Sequence, residues 1–148
     1  MTEVGRAETT AERFRRIMEV PLLRFLDVEP LTDEDSIQGL SFVVSDNTLN
    51  AAGALHGGSL ATVLDVAAYI ALLPGLADDE EAVTHSFSAW YLRPAAKGEV
   101  IDARASVVRR GARVAFVASE MRSRGQLLAT AQVTKSIVHP SHAGRENR

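Results

Sequence analysis

One carboxylate stands in a long apolar segment of the chain. Residues 59–73 read SLATVLDVAAYIALL, and Asp65 is the only charged residue among them. An ionised carboxylate in apolar surroundings is costly unless a partner offsets it, so Asp65 needs a reason to be there. A solvent-facing line of a helix, shared with Ser59 and Thr62, would be one reason. The residues one helical turn away favour instead a pocket or an interface, and a catalytic role. They are Ala61, Ala68 and Tyr69.

A His-Gly-Gly tripeptide precedes this segment, with His56, Gly57 and Gly58 at the predicted start of a helix. Unpaired backbone N–H groups and the positive end of the helix dipole make such a start attractive to an anion or a polarised carbonyl oxygen. Glycine lets a ligand approach the backbone closely. The tripeptide alone also fits an ordinary turn into a helix, so it indicates a ligand site only in combination with Asp65.

The remaining reactive residue types are few. The chain has no cysteine, which excludes disulfides, thiolate metal sites and a cysteine nucleophile. Its four histidines, at positions 56, 85, 139 and 142, are too dispersed for a recognised metal-binding spacing. We therefore expect no metal and no cofactor.

Size and charge exclude further classes of function. The chain has 148 residues, enough for one domain with a real core, and its formal charge of −3 gives no field that would attract nucleic acid. Its longest apolar run is interrupted by Thr62, Asp65 and Pro74, so we expect no membrane span. The first residues lack the apolar core of a secretory signal, and a cytoplasmic location is expected.

Two helices are predicted. Thr9 and Glu12 have capping-box spacing, and apolar residues recur at helical intervals until Pro21, which predicts an amphipathic helix within residues 1–20. Residues 59–73 contain no Gly or Pro and predict one long helix. That helix is apolar nearly all round, so it must be covered on most sides, which requires a sheet that curls about it.

Strands account for most of the remaining sequence. Residues 37–45 predict a strand with Leu40, Phe42 and Val44 on one face. From Glu81 onward the period is two in four further segments, and the joins between them are short enough for hairpins, which predicts a meander. These segments are 82–92, 100–109, 112–123 and 127–138, with joins at 94–98, 110–111 and 123–126. The predicted class is α+β: one long central helix wrapped by a curled antiparallel sheet.

Two stretches carry a specific pattern of motifs. The first, NAAGALHGGSLATVLD, runs from Asn50 to Asp65, and the second, VTHSFSAWYLRPA, from Val83 to Ala95, with Gly98-Glu99 after it. Together they resemble the phenylacetate-pathway-type (PaaI-like) branch of hotdog thioesterases. The likeness covers roughly residues 26–138. It implies a hotdog thioesterase domain over residues 21–138, followed by a disordered tail at 139–148, and the hydrolysis of acyl-CoA thioesters.

The resemblance also implies roles for the central residues. Gly57, together with Gly58, would offer backbone N–H groups to the thioester oxygen, as an oxyanion hole does. Asp65 would attack the carbonyl carbon directly or activate water, and the sequence leaves both routes open.

Supporting roles follow from the same likeness. Asn50 and His56 would orient the water or the thioester, and Thr84 would help to place the attacking water, although a strand threonine facing solvent explains Thr84 equally. The phosphates of CoA would bind a region of arginines, whose members could also be merely solvated. They are Arg93, Arg109, Arg110 and Arg113.

The spacing of Gly57 and Asp65 predicts an active site shared by two chains. Eight residues of helix separate them, about 12 Å along the axis, so one thioester cannot touch both in one chain. Two such helices running antiparallel across a two-fold axis would make two equivalent sites per homodimer. The family resemblance agrees with a dimer and implies a tetramer built as a dimer of dimers.

Two other functions fit a hotdog domain. One is a non-catalytic acyl-CoA-binding domain, and the other is a hydratase or dehydratase that pairs a histidine with a carboxylate. The His-Gly-Gly motif with Asp65 fits the thioesterase pattern better. The acyl group is left open, because Tyr69, Trp90 and Tyr91 could line an acyl pocket or simply pack.

Overall fold

The computed structural model describes residues 8–33 and 36–140, which form a long helix held against a six-stranded antiparallel sheet. The helices are α1 (Thr10–Met18), α2 (Pro21–Phe25) and α3 (Gly57–Leu72). The strands are β1 (Glu29–Asp33), β2 (Ser36–Val43), β3 (Glu81–Tyr91), β4 (Val100–Arg110), β5 (Val114–Ser123) and β6 (Gln126–Val138). Their order across the sheet is β1-β2-β4-β5-β6-β3. The predicted α+β hotdog class is confirmed.

The central helix α3 is the predicted long helix. It begins earlier than predicted, because His56 caps it: the Nδ1 atom of His56 accepts a hydrogen bond of 2.8 Å from the Gly58 N–H. Both glycines therefore lie inside its first turn. The side chains that α3 buries against the sheet are almost inaccessible, and each large one stabilises the fold by about 1.5–3 kcal/mol. They include Leu60, Val63, Leu64, Ala67 and Ala68.

By length and composition alone, Gly57–Gly75 could cross a membrane, with a mean hydropathy of 1.5. One such helix is weak evidence for a span, because the core helix of a water-soluble protein passes the same test. Here the helix packs against five of the six strands, which explains its apolar composition.

A β-bulge at His85 changes which residues of β3 face the helix. Thr84 is paired with Lys135 and Ser86 with Thr134, so His85 is skipped in the strand register with β6. One extra residue reverses the alternation of side chains along a strand. Thr84 therefore shares the inner face with Phe87 and the other inward residues beyond the bulge.

The predicted meander is wrong in one place. β3 does not pair with β4 but lies at the far edge of the sheet, beside β6. The join at 94–98 is thus a crossover that passes the start of α3, where the Ala95 carbonyl accepts from the Leu55 N–H at 2.9 Å. Loop length alone allowed a hairpin, but covering a helix that is apolar nearly all round requires strands on both of its flanks.

The strand β1 and the short helix α2 were not predicted. β1 contains Pro30, which lacks an N–H and argues against a central strand, but β1 is an edge strand where proline is tolerated. The first helix ends before Pro21, as predicted, and Pro21 itself occupies the first turn of α2, a position that proline favours.

The first helix is fastened by a buried arginine. α1 begins at the capping box of Thr9 and Glu12. Arg13 is 5% exposed, and its guanidinium donates hydrogen bonds of 2.8–3.0 Å to three carbonyl oxygens just before β3. They belong to Ala77, Asp78 and Glu80. Most of the predicted tail, residues 141–148 with its histidine at 142, lies outside the described residues.

Candidate active site

The carboxylate of Asp65 is paired but still accessible. Its Oδ1 atom accepts hydrogen bonds from Lys135 Nζ at 2.9 Å and Thr84 Oγ1 at 2.8 Å, and its Oδ2 atom lies 3.0 Å from the same hydroxyl. The side chain is 32% exposed. Asp65 is therefore part of a hydrogen-bonded cluster, and Thr62 is not its partner, because the Thr62 hydroxyl donates to the Gly58 carbonyl oxygen.

Lys135 is the residue of this cluster that the sequence analysis missed. Its side chain is 3% exposed, and its Nζ atom donates to Thr84 Oγ1 at 2.7 Å as well as to Asp65. Burial lowers the pKa of Lys135, although the hydrogen bond and charge of Asp65 oppose that shift. A signal was available, because Lys135 shares the period-two positions of the buried residues of β6. These are Ala129, Ala131, Val133 and Ile137.

Tyr69 borders the cluster on the same helix. The Lys135 ammonium lies 5.8 Å from the centre of the Tyr69 ring, which favours a cation. The Tyr69 hydroxyl donates to Glu81 Oε1, and burial together with this hydrogen bond raises the pKa of Tyr69 well above its usual value. Tyr69 therefore stays protonated and neutral beside Lys135.

The start of α3 offers the Gly57 N–H as a free donor. None of the described residues accepts a hydrogen bond from the Gly57 N–H, whereas the Gly58 N–H is donated to His56 Nδ1. Of the two glycines singled out from the sequence, Gly57 is thus the one whose N–H is available to a ligand. Because His56 Nδ1 is used as an acceptor, the imidazole can donate only from Nε2.

A cavity of about 360 Å³ opens beside Gly57. Asn50 lies at its wall, with its Oδ1 atom accepting hydrogen bonds from the N–H groups of Ala52 and Ala54. The Asn50 Nδ2 atom is therefore the one left for a ligand. Apolar and aromatic side chains complete the lining, among them Leu60, Tyr91, Leu92 and Leu128.

The structure places the predicted catalytic residues in two clusters. Asn50, His56 and Gly57 lie at the start of α3, whereas Asp65 and Thr84 lie with Lys135 about two turns further along it. The cavity beside Gly57 does not include Asp65 in its lining. Among the described residues, no three His, Asp or Glu side chains are placed to hold a metal ion.

The four predicted arginines do not form one patch. Arg110 is paired with Ala115, and the same row of cross-strand partners contains Lys135 and Thr84. Arg110 therefore lies on the side of the sheet that faces α3, where it forms an ion pair with Glu80. The hydrogen bond that Arg110 donates to Glu80 lowers the pKa of Glu80. A bulge at Val108 places Arg109 on the outer face, opposite Phe116.

The other two arginines differ in their environment. Arg113 is exposed in the turn between β4 and β5, and its side chain, like that of Arg109, bonds to none of the described residues. Arg93 lies at the opposite end of the sheet, beside the Gly57 cavity, and forms an ion pair with Glu99 at 3.4 Å. In one chain, therefore, only Arg109, Arg110 and Arg113 share a hairpin.

Comparison with known proteins gives a consistent result. The family model described as the thioesterase superfamily matches residues 52–130. Human acyl-coenzyme A thioesterase 13 is 28% identical over 93% of this chain and 94% of its own length. Among solved structures, a phenylacetic acid degradation-related protein from Ralstonia eutropha superimposes with a TM-score of 0.72 at 28% identity, covering 86% of this chain and 98% of that one. A mutant of the phenylacetic acid degradation protein PaaI from Thermus thermophilus gives 0.67 at 28% identity, with 78% and 97% covered.

Proposed function

This chain belongs to the thioesterase superfamily and is a thioester hydrolase, and we propose that it cleaves acyl-CoA at a site formed by Gly57 of one chain and Asp65 of another. The acyl-CoA substrate is supported by the relative named acyl-coenzyme A thioesterase 13. The observation that carries the assignment of residues is the pairing of Asp65. Its carboxylate is held by Lys135 and Thr84 but keeps a third of its surface accessible.

The chemistry needs a polarised carbonyl and an attacking group. The Gly57 N–H would donate to the thioester oxygen and stabilise the negative charge that develops on it. Asp65 would either attack the carbonyl carbon, forming an anhydride that water then hydrolyses, or take a proton from the water that attacks. Both routes end with the CoA thiolate as the leaving group and the free acid as product.

Three residues would orient the reacting groups. Asn50 Nδ2 and His56 Nε2 are donors at the start of α3 that the internal hydrogen bonds of the two side chains leave free, and they would bind the thioester or the water. Thr84, with its hydroxyl on Asp65, would hold the carboxylate or the water that it activates. In one chain His56 does not form the histidine–carboxylate pair of a hydratase, but the shared site would bring His56 of one chain near Asp65 of the other, so the release of thiol is what separates the two functions.

The edge of the sheet supports the shared site. β3 has eleven residues and, among the strands that the structure describes, pairs only with β6, so its other side presents N–H and C=O groups that a second copy could bind. A two-fold axis near the middle of β3 would align the two strands antiparallel. The Tyr91 end of each chain, which contacts Gly57, would then lie beside the Thr84 end of its partner, which contacts Asp65.

Asp65→Asn tests the catalytic assignment. We expect kcat for acyl-CoA to fall about 10²-fold to 10⁴-fold, because the amide is neither nucleophile nor base. The release of free thiol is the measurement, since a hydratase or a non-catalytic binder releases none. Circular dichroism checks that the fold is intact. A folded variant within about threefold of the wild-type kcat would remove Asp65 from the mechanism.

Mixing two inactive variants tests the shared site. Asp65→Ala chains and Gly57→Pro chains are refolded together, and each hybrid dimer then contains one intact and one doubly damaged site. Random mixing makes half of the dimers hybrids, so activity should return to about a quarter of the wild-type value. Hybrids isolated with two different affinity tags that are as inactive as their parents would overturn the shared arrangement.

A further inference from the structure

We propose that Lys135 is a positioning residue for the hydrolysis: its ammonium group holds Asp65 Oδ1 and so directs Oδ2 toward the bound thioester. The inference deepens the proposed function and rests on it, because it requires Asp65 to be the catalytic carboxylate.

The protons of the cluster can be assigned from its geometry. Lys135 Nζ lies 2.9 Å from Asp65 Oδ1 and 2.7 Å from Thr84 Oγ1, and an ammonium group can only donate. The Thr84 hydroxyl therefore accepts from Lys135 and has its single proton left for Asp65, whose Oδ1 is the nearer oxygen at 2.8 Å. Oδ1 alone accepts from Lys135 and is the nearer oxygen to the Thr84 proton, whereas Oδ2 has only the longer contact of 3.0 Å with that hydroxyl, so Oδ2 is the less fully bound oxygen.

The cation is fixed in place by the sheet. Lys135 lies on β6, which is paired on both sides, with Ala115 of β5 on one flank and Thr84 of β3 on the other. Its side chain is 3% exposed, whereas that of Asp65 is 32% exposed. Lys135 is thus too deep to touch a substrate that Asp65 can reach, and its effect on the reaction must pass through Asp65 and Thr84.

A buried ion pair is weak evidence of stabilisation, because the desolvation of two charges offsets much of their attraction. A carboxylate in a catalytic site gains something else from such a partner, namely one defined orientation before the substrate binds. Orientation therefore accounts for a lysine at a position where the neighbouring residues on the same face of the strand, Val133 and Ile137, are apolar.

Lys135→Met tests the proposal, because methionine has a similar length and shape without the charge or the donors. We expect kcat to fall about 10-fold to 100-fold while KM changes less than about threefold, since the substrate itself loses no contact. Arg13→Met is the matched control. It also removes a buried cation, but one whose hydrogen bonds within the described residues go to backbone carbonyls and not to Asp65 or Thr84, and it should leave kcat unchanged.

A double variant shows whether Lys135 acts through Asp65. If it does, Asp65→Asn with Lys135→Met should be no slower than Asp65→Asn alone, because residues that act as a unit are not additive. If the factors by which the two substitutions lower kcat multiply in the double variant, Lys135 acts by a route that does not pass through Asp65. Lys135→Arg keeps a charged donor and should retain more of the wild-type kcat than Lys135→Met does.

The possible failures are distinguishable. If Asp65→Asn is slow but folded Lys135→Met has a wild-type kcat and only a lower melting temperature, Lys135 is structural and the proposal falls while the proposed function stands. If Asp65→Asn is itself active, the proposed function fails first. Should Lys135→Met not fold, Lys135→Gln provides a second neutral variant, and if that does not fold either, Lys135 is assigned to folding and the positioning role is withdrawn.

Discussion

Tyr91 covers Gly57: its hydroxyl group donates to the Gly57 carbonyl oxygen at 3.3 Å, and a methyl group added to Gly57 would lie 3.4 Å from the Tyr91 ring. The contact leaves room for a side chain, so the glycine is not required by packing alone. What is particular to Gly57 is its N–H, which no described residue binds. A substitution at position 57 can therefore remove this N–H with little other change to the structure.

Gly57→Pro removes this N–H at the first position of α3, where proline is well tolerated, and His56 has the extended ψ of 131° that a following proline requires. We expect kcat to fall about 10²-fold to 10³-fold, as it does when one oxyanion donor is lost. Gly57→Ala adds a similar Cβ and keeps the donor, so it should stay within about threefold of wild type. Equal losses in the two variants would assign the effect to crowding against Tyr91.

The pH dependence of kcat should show the titration of Lys135. Burial lowers the pKa of Lys135 from its ordinary 10.5, so the ammonium is present below the lowered pKa and is lost as the pH rises through it. The groups around it are Asp65, neutral Tyr69 with Glu81, and the Arg110–Glu80 pair across the sheet. We expect an alkaline decline in kcat below pH 10.5, and no such decline in Lys135→Arg.

Unfolding measurements separate this decline from alkaline denaturation. The folded pKa of Lys135 lies below the unfolded one, so the unfolded chain binds more protons in the window between them. The contribution of Lys135 to the free energy of unfolding therefore rises with pH in that window. A wild-type kcat that stays constant up to pH 10.5, after subtraction of the uncatalysed rate, would contradict the prediction.

Arg109→Ala combined with Arg113→Ala should raise KM for acyl-CoA about 3-fold to 10-fold and leave kcat nearly unchanged, because contacts to the nucleotide are remote from the reacting carbonyl. Both side chains are exposed, and neither is held by another described residue. Steady-state kinetics at low ionic strength is the measurement, with Arg15→Ala and Arg24→Ala together as a control for net charge. An unchanged KM would exclude this face of the hairpin from CoA binding.

Arg13→Met should destabilise the fold by about 1–3 kcal/mol, because three carbonyl oxygens lose a buried charged donor. Urea unfolding followed by circular dichroism measures this difference. Arg15 lies on the same helix and is exposed, so Arg15→Met should change the free energy of unfolding by less than about 0.5 kcal/mol. Similar values for the two variants would show that the hydrogen bonds of Arg13 contribute little.

Much of the fold could be predicted because its signals are local. The period of two locates β4 and β6 to within a residue or two, and the apolar run locates α3. The position of β3 beside β6 could not be predicted, because a short connection permits a hairpin as well as a crossover. The bulges at His85 and Val108 were also invisible, since they appear only when two strands are paired.

The site was predictable in its residue types but not in its partnerships. Asp65 stood out as a lone charge, yet its counter-ion lies 70 residues further along the chain. A carboxylate without a partner would predict greater stability for Asp65→Asn, whereas the buried Lys135 reverses that expectation, because the variant leaves an ammonium unpaired. The difference between Gly57 and Gly58 likewise depends on where the His56 ring lies, which the motif does not specify.

The bulge at His85 adds to β3 one residue that has no place in the pairing with β6. The side chains of β3 that face α3 therefore stand at even-numbered positions before the bulge and at odd-numbered positions after it. Thr84 belongs to the first set, and Phe87, Ala89 and Tyr91 belong to the second. Because His85 is exposed, its substitution leaves the side-chain orientation on both sides of the bulge unchanged. Deletion of that residue would remove the extra position and leave Thr84 two residues before Phe87, so that the hydroxyl on Asp65 and the aromatic cover of Gly57 would still face the same side of the sheet without a bulge.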